Sequence, residues 1–211
     1  MINGDCQPFL AAEVKRIKLA TAFTQHHSNL EYNDKSGAIN ESYSDIAAVA
    51  LMEYVRQKNI DLYSAAYPKA NGVIPWQIGQ TVMCSGKPLR YMDYPSKDGK
   101  SADCFRKIDY GNIYYDKVCE QAESKYSEKA LQQSYIVHTA SGIFNRALYL
   151  LASRWGVEKA FRAFALANVK YWTSQADFDS AANGVVNAAQ DLGYSPDDVI
   201  NVFEQVGVRA D

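Results

Sequence analysis

The sequence has little excess charge of either sign and no long apolar run. Its 211 residues include 22 Lys and Arg against 24 Asp and Glu, which leaves a formal net charge of −2. So small a charge provides no broad basic surface for nucleic acid or for anionic lipid. No apolar segment reaches the about 20 residues of a membrane-spanning helix. The first residues, MINGDCQPFL, lack the basic and apolar regions of a signal peptide, so none is predicted.

Cysteine is also scarce, and its spacing excludes two common uses of this residue. The four cysteines are Cys6, Cys84, Cys104 and Cys119, and none forms a CxxC pair, which argues against a zinc ribbon and against thioredoxin-type chemistry. Cys104 and Cys119 bracket a polar, Tyr-rich stretch, and a disulfide between them would add about 3 kcal/mol of loop-closure stability. Two alternatives remain open from the sequence: this disulfide, or four reduced thiols.

Helical periodicity at the two ends of the chain predicts a mainly α fold, and the chain length fits one domain or one and a half. Strand-type alternation is scarce. Apolar residues recur at helical spacing in 10–27, 40–57, 134–152, 157–170 and 178–192, and a last helix begins at Pro196 with Ser195 as its cap. Residues 59–133 show no such period but contain four prolines and the turn signals NG, SG and DG. We therefore predict a long irregular loop region in the middle of the chain.

The same periodicity predicts which side chains face inward. In the second helix the stripe runs from Tyr43 through Ile46 to Tyr54. In the C-terminal helices the predicted core consists of Ile143, Phe161, Phe164, Val185 and Phe203.

Residues 37–45, GAINESYSD, resemble the segment that carries the third zinc ligand of thermolysin-like zinc metallopeptidases. Four further segments and the final VGV resemble the vibriolysin and pseudolysin branch of this family in the same order. These segments are AFTQHHSNLEY (22–32), KPLRYMDYPSKDGK (87–100), VHTASGIFNRALYLL (137–151) and FRAFALANVKYW (161–172). The resemblance implies the helical bundle-like C-terminal lobe of such a peptidase.

The resemblance also predicts how the chain is divided. Residues 1–21 show almost no family likeness and are predicted to form a separate N-terminal segment that is helical in part. Residues 22–211 are predicted to form the thermolysin-like α-helical domain, with an insertion near 104–133. Because only about 16 residues precede the place of the metal-binding motif, we expect the β-rich domain of the family to be absent and the chain to be truncated. The face towards that domain would then be exposed and apolar.

Five residues match functional positions of the family. Glu41 corresponds to the third zinc ligand, and Asp45 to the carboxylate that orients a zinc-bound histidine. Tyr32 and His138 correspond to the groups that stabilise the oxyanion of the transition state. Arg90 corresponds to the arginine that binds a substrate backbone carbonyl.

Each of these positions has a plainer interpretation that stays open. Glu41 and Asp45 would also be consistent with a solvated helix face. His138 would also be consistent with a hydrogen-bonded histidine in the protein interior. Tyr32 is one of 15 tyrosines. Arg90 would serve as well to pin its loop through Asp45 or a carbonyl.

The family's HExxH motif is degenerate in this sequence. The family spacing places it 20 residues before Glu41, where the sequence is IKLAT (17–21). Ile17 and Thr21 therefore occupy the two histidine-ligand positions, and Lys18 occupies the position of the general base. Lys18 is predicted to form an ion pair with Glu41, which would oppose binding of a second cation.

No other residues are predicted to replace the missing metal ligands. His26 and His27 lie five and six residues beyond Thr21, which turns them away from the site face of a helix. Calcium binding is also not expected, because Val49, Met52 and Ile60 stand where the pseudolysin branch has acids or a chelating residue. We therefore expect this chain to bind neither zinc, which the family uses, nor calcium.

The resemblance implies a secreted zinc metalloendopeptidase that cleaves peptides or proteins. The chain itself is predicted to be a catalytically inactive form, because the zinc-binding HExxH motif is missing. One alternative is a pseudoenzyme that binds a peptide or partner through the remnant cleft. In another, a separate polypeptide supplies the β-domain and the HExxH helix.

Overall fold

The computed structural model describes residues 19–67, 74–80, 87–106, 125–127 and 137–211. The N-terminal helices are α1 at residues 19–26, α2 at Asp34–Lys58 and α3 at Ile60–Ala66. The C-terminal helices are α4 at Val137–Ala140, α5 at Gly142–Trp155, α6 at Val157–Lys170, α7 at Phe178–Asp191 and α8 at Pro196–Gln205. The prediction of a mainly α fold is confirmed. Among the described residues, no helix is long and apolar enough to cross a membrane.

Helix α2 is the central element of the fold. It begins at Asp34, six residues before the predicted start, and packs against α3, α4, α5 and α6. Because neighbours surround it, both apolar and polar side chains of α2 are buried, among them Ile39, Ile46 and Asp45, each 0% exposed. The predicted inward stripe is correct at Tyr43 and Ile46. It is wrong at Tyr54, which is 59% exposed.

The irregular middle of the chain contains short ordered pieces. A two-stranded antiparallel sheet pairs β1 at Gln77–Ile78 with β2 at Arg90–Tyr91. A 3₁₀ helix follows at Pro95–Asp98, and β3 at Cys104–Arg106 pairs in parallel with β4 at Lys125–Ser127. The prediction of irregular structure is wrong for 60–66, where α3 begins with Asn59 accepting a hydrogen bond from the Leu62 amide at 2.9 Å.

Cys104 at the start of β3 takes part in a disulfide. The alternative of four reduced thiols is therefore wrong. Cys6, Cys84 and Cys119 lie outside the described residues, so Cys119 as the partner of Cys104 stays a prediction.

The predicted helix 134–152 is divided in two at Ser141. The Thr139 carbonyl accepts a hydrogen bond from the Ala102 amide at 3.0 Å, so a loop contact replaces a bond within the helix. At Gly142 the loop comes so close that an added Cβ would lie 2.5 Å from the Ala102 carbonyl oxygen. This contact fixes the loop that follows Arg90 against the start of α5.

The hydrophobic core is formed by α2 together with α5, α6, α7 and α8. Ile143, Phe164, Val185 and Phe203 are fully buried as predicted, whereas Phe161 is only half-buried. Phe144 is also buried and contacts three other phenylalanine rings, those of Phe164, Phe178 and Phe203. The last helix begins as predicted, with the Ser195 hydroxyl accepting a hydrogen bond from the Asp198 amide at 3.3 Å.

Candidate functional site

Three of the predicted site residues form a hydrogen-bonded cluster at one end of α2. Glu41 lies in the second turn of α2, Tyr32 in the turn before the helix, and His138 in α4. The Tyr32 hydroxyl donates to Glu41 Oε1 at 2.6 Å, and His138 Nδ1 lies 2.8 Å from Glu41 Oε2. The Tyr32 hydroxyl is also 3.3 Å from His138 Nε2. Both oxygens of the Glu41 carboxylate therefore have a protein partner.

The cluster faces solvent on the side of Tyr32 and His138. The Tyr32 residue is 54% exposed, and the His138 side chain is 55% exposed, whereas only 19% of the Glu41 side chain is exposed. Partial burial of the hydroxyl, its hydrogen bond to Glu41 and the charge of that carboxylate raise the pKa of Tyr32. Tyr32 therefore stays a neutral hydrogen-bond donor over the physiological range.

Asp45 lies one turn beyond Glu41 and holds Arg90 of β2. Arg90 Nε donates to Asp45 Oδ2 at 2.6 Å, and Arg90 Nη2 donates to Asp45 Oδ1 at 2.7 Å. Only 12% of the Arg90 side chain and none of the Asp45 side chain is exposed. Desolvation alone would lower the pKa of Arg90, but the charge and hydrogen bonds of Asp45 together with the charge of Glu41 raise it. This is a bidentate ion pair in a dry setting, a strong and directional arrangement.

Asn145 of α5 completes the buried part of the site. Its Nδ2 donates to Asp45 Oδ2 at 2.9 Å, and its Oδ1 accepts a hydrogen bond from the Ser42 hydroxyl at 2.7 Å. Both Asn145 and Ser42 are 0% exposed. Neither was predicted from the sequence. The signal available was a polar residue inside the apolar segment that follows His138.

The structure thus brings together Tyr32, Glu41 and His138, and beside them Asp45 with Arg90. The predicted contact by which Arg90 holds its loop to Asp45 is confirmed. Substrate binding by Arg90 stays a prediction. The plain interpretation of Glu41 and Asp45 as a solvated helix face does not fit, because Asp45 is fully buried.

The positions of the missing motif are only partly described. Thr21 is in α1, and its hydroxyl lies 3.4 Å from the Ser44 hydroxyl. Ile17 and Lys18 lie outside the described residues, so the pairing of Lys18 with Glu41 stays a prediction. The His27 ring packs against Phe23 with centroids 4.3 Å apart, and His26 lies edge-on to His27 at 5.1 Å.

The helical fold is that of the α-helical domain of a metallopeptidase. A family model described as "Thermolysin metallopeptidase, alpha-helical domain" matches residues 28–208, and the chain belongs to this family. The prediction made from GAINESYSD and its companion segments is confirmed.

Individual relatives agree with this assignment. The chain is 38% identical to a virulence metalloprotease of Vibrio anguillarum, in an alignment that covers 100% of this chain and 29% of the relative. It is 40% identical to a zinc metalloprotease of Helicobacter pylori, over 87% of this chain and 57% of the relative. Among solved structures, the precursor of protealysin from Serratia proteamaculans matches with a TM-score of 0.65 and 25% identity, over 94% of this chain and 57% of that one.

The chain spans less than two thirds of the length of these relatives. The family model begins at residue 28, whereas the alignment with the Vibrio anguillarum protein includes residues 1–21. The predicted boundary at residue 22 therefore stays a prediction.

The described residues of this site do not provide the ligand set of the zinc that the family implies. A catalytic zinc takes three protein ligands and keeps a fourth position open. In the part of the chain that the structure describes, no group of three or more His, Cys, Asp or Glu residues is placed to hold a metal ion. Glu41, which the resemblance assigns as the third zinc ligand, has both its oxygens in contact with Tyr32 or His138. We therefore derive no chemical step through a metal at this site.

Proposed function

We propose that this chain is a non-hydrolytic member of the thermolysin metallopeptidase family. It binds peptide segments along the cleft wall formed by Arg90, Tyr32 and His138. The observation that carries the proposal is the bidentate ion pair between Arg90 and the buried Asp45 carboxylate. Those two bonds use two of the five N–H groups of a guanidinium, and the others suit a peptide carbonyl. The exposed Tyr32 and His138 side chains contact Glu41, one turn before Asp45 on α2.

The absence of hydrolysis follows from the residues at 17–21. Ile17 offers no metal ligand, and Thr21 offers a hydroxyl in place of an imidazole. By the family spacing, Lys18 has the position of the carboxylate that takes a proton from the attacking water, and an ammonium cannot act as that base while it is charged. Secretion, which the resemblance implies, stays a prediction.

Purified protein is expected to hold zinc far below one ion per chain after dialysis and to leave casein uncut. Elemental analysis of the protein and a casein digestion assay measure the two properties. The variant Glu41→Gln, which removes the one retained ligand charge, is expected to show the same low zinc content as the wild type. Stoichiometric zinc together with casein cleavage would contradict the proposal. Zinc uptake only after addition of a second polypeptide with an HExxH helix would instead support complementation in trans.

Replacing Arg90 by Ala is expected to weaken peptide binding by about tenfold or more, because a hydrogen bond to a charged group is lost. Fluorescence anisotropy with labelled, N-acetylated and C-amidated peptides of apolar residues measures the dissociation constant. The matched control is Arg162→Ala, which removes an exposed arginine paired with Glu158 on α6 and should leave affinity unchanged. Circular dichroism establishes that each variant is folded under the assay conditions. Equal affinities for wild type and Arg90→Ala, or no binding by the wild type, would refute peptide binding through Arg90.

A further inference from the structure

Asn145 bridges two buried polar groups of α2 from the neighbouring helix α5. It accepts from the Ser42 hydroxyl and donates to the Asp45 carboxylate, and all three residues are 0% exposed. A carboxylate accepts hydrogen bonds and does not donate them when it is ionised, so the amide nitrogen of Asn145 must face Asp45. The Ser42 hydroxyl then donates to the amide oxygen. The orientation of the amide is therefore fixed by hydrogen bonds at both its oxygen and its nitrogen.

This bridge restricts the rotation of the Asp45 carboxylate. The terminal torsion of an aspartate is broad, so an ion pair with one flexible partner does not by itself fix the plane of the carboxylate. Asp45 Oδ2 accepts from both Arg90 Nε and Asn145 Nδ2, at 2.6 and 2.9 Å. The donor from α5 therefore selects one rotation of the carboxylate. The planar fork of Arg90 must follow that plane to keep both of its hydrogen bonds.

We infer that Asn145 is a positioning residue that sets the orientation of the Arg90 guanidinium through Asp45. Arg90 comes from a two-residue strand in the irregular part of the chain, which provides little rigidity of its own. The rigid frame for its charged group is instead α2 together with α5. The consequence for ligand binding rests on the proposed function, whereas the orientation of Arg90 is measurable without any ligand.

The chain contains a matched control for this inference. Asn168 of α6 is also 0% exposed, accepts from the Ser28 hydroxyl at 2.7 Å and donates to the Thr24 hydroxyl at 3.0 Å. Its bonds are of the same kind as those of Asn145, but they do not involve Asp45. Replacing either asparagine by Leu removes a buried amide, and only Asn145→Leu removes the donor to Asp45.

The test follows the Arg90 Nε–H signal in ¹H–¹⁵N NMR spectra of the full chain, assigned by its loss in Arg90→Lys. In Asn145→Leu we expect this proton to exchange with solvent about tenfold faster than in the wild type, with a changed chemical shift. Asn168→Leu should leave both unchanged. Ser42→Ala, which removes only the bond that orients the amide, should accelerate exchange by a smaller factor. It also decides the question if Asn145→Leu does not fold.

An unchanged Arg90 signal in Asn145→Leu, or in Ser42→Ala where Asn145→Leu is unfolded, would overturn the inference. So would an equal change in Asn168→Leu. In the peptide-binding assay, Asn145→Leu and Arg90→Ala should each weaken binding of the N-acetylated and C-amidated peptides. Their combination should weaken it no further than Arg90→Ala alone. Absence of peptide binding by the wild type would refute the proposed function, and the exchange measurement would still decide the role of Asn145.

Discussion

Replacing Asp45 by Ala is expected to lower the free energy of unfolding by about 3–5 kcal/mol. Breaking a buried ion pair by removing one partner leaves the other charge uncompensated, and that cost is large. Arg90 would keep its positive charge with only 12% of its side chain exposed, and Asn145 would lose the acceptor for its Nδ2 group. Urea denaturation measures the change, as a lower midpoint with an unchanged slope.

Two control variants separate this cost from that of losing any ion pair. Asp198→Ala removes a carboxylate whose pair with Arg154 has 36% and 38% of the two side chains exposed and which also accepts from the Trp155 indole at 2.9 Å, so we expect a change of no more than about 2 kcal/mol. The double variant Asp45→Leu with Arg90→Met removes both buried charges and should recover much of the loss. If Asp45→Ala costs no more than Asp198→Ala, the buried pair does not stabilise the fold in the way we describe.

The sequence predicts the C-terminal helices well because their signals are local. The start of α8 depends on Ser195 and Pro196, and the end of α5 on Gly156, which adopts φ +83°. The division at Ser141 has no such local signal. It depends on Ala102, which lies nearly forty residues earlier in the chain. The Ala102 amide donates a hydrogen bond to the Thr139 carbonyl. A break of this kind is a tertiary contact, and helical periodicity does not predict it.

Five residues that the structure brings together were predicted from the sequence, and so was one connection among them, the contact of Arg90 with Asp45. The family resemblance identified Glu41, Asp45, Arg90, Tyr32 and His138, because those positions lie within matching segments. The buried bridge of Asn145 to Asp45 was not predicted, since a polar residue within an apolar segment has no periodic signal of its own. The bridge becomes visible only when α5 is packed against α2.

The partial exposure of Phe161 also depends on how helices pack against each other. Its position in α6 follows the apolar period, yet it lines a cavity of about 370 Å³ between α2 and α6. Ala47, Ala50 and Tyr54 of α2 line the same cavity. The apolar period therefore correctly predicts which side of α6 faces α2, but it does not predict how completely the Phe161 ring is covered.

Replacing Phe144 by Ala is expected to lower the free energy of unfolding by about 3–5 kcal/mol, through lost burial and the cavity left behind. Phe144 is 1% exposed, and its ring centroid lies 5.0 Å from Phe203 and 5.5 Å from Phe178. The matched control is Phe161→Ala, where the ring is half-buried and the expected loss is less than half as large. Urea denaturation compares the two variants, and equal losses would show that the rings around Phe144 do not form the stabilising centre of the domain.

The same variant separates stability from the geometry of the site. Phe144 directly precedes Asn145 in α5. Because successive helical residues point about 100° apart, the two side chains lie on different faces of the helix. Phe144 packs towards α6, α7 and α8, whereas Asn145 reaches α2. In the folded Phe144→Ala protein without urea, the Arg90 Nε–H shift should therefore match the wild type, although the domain is much less stable. A displaced Arg90 signal would mean that core packing also sets the orientation of the guanidinium, and Asn145 would not do so by its hydrogen bonds alone.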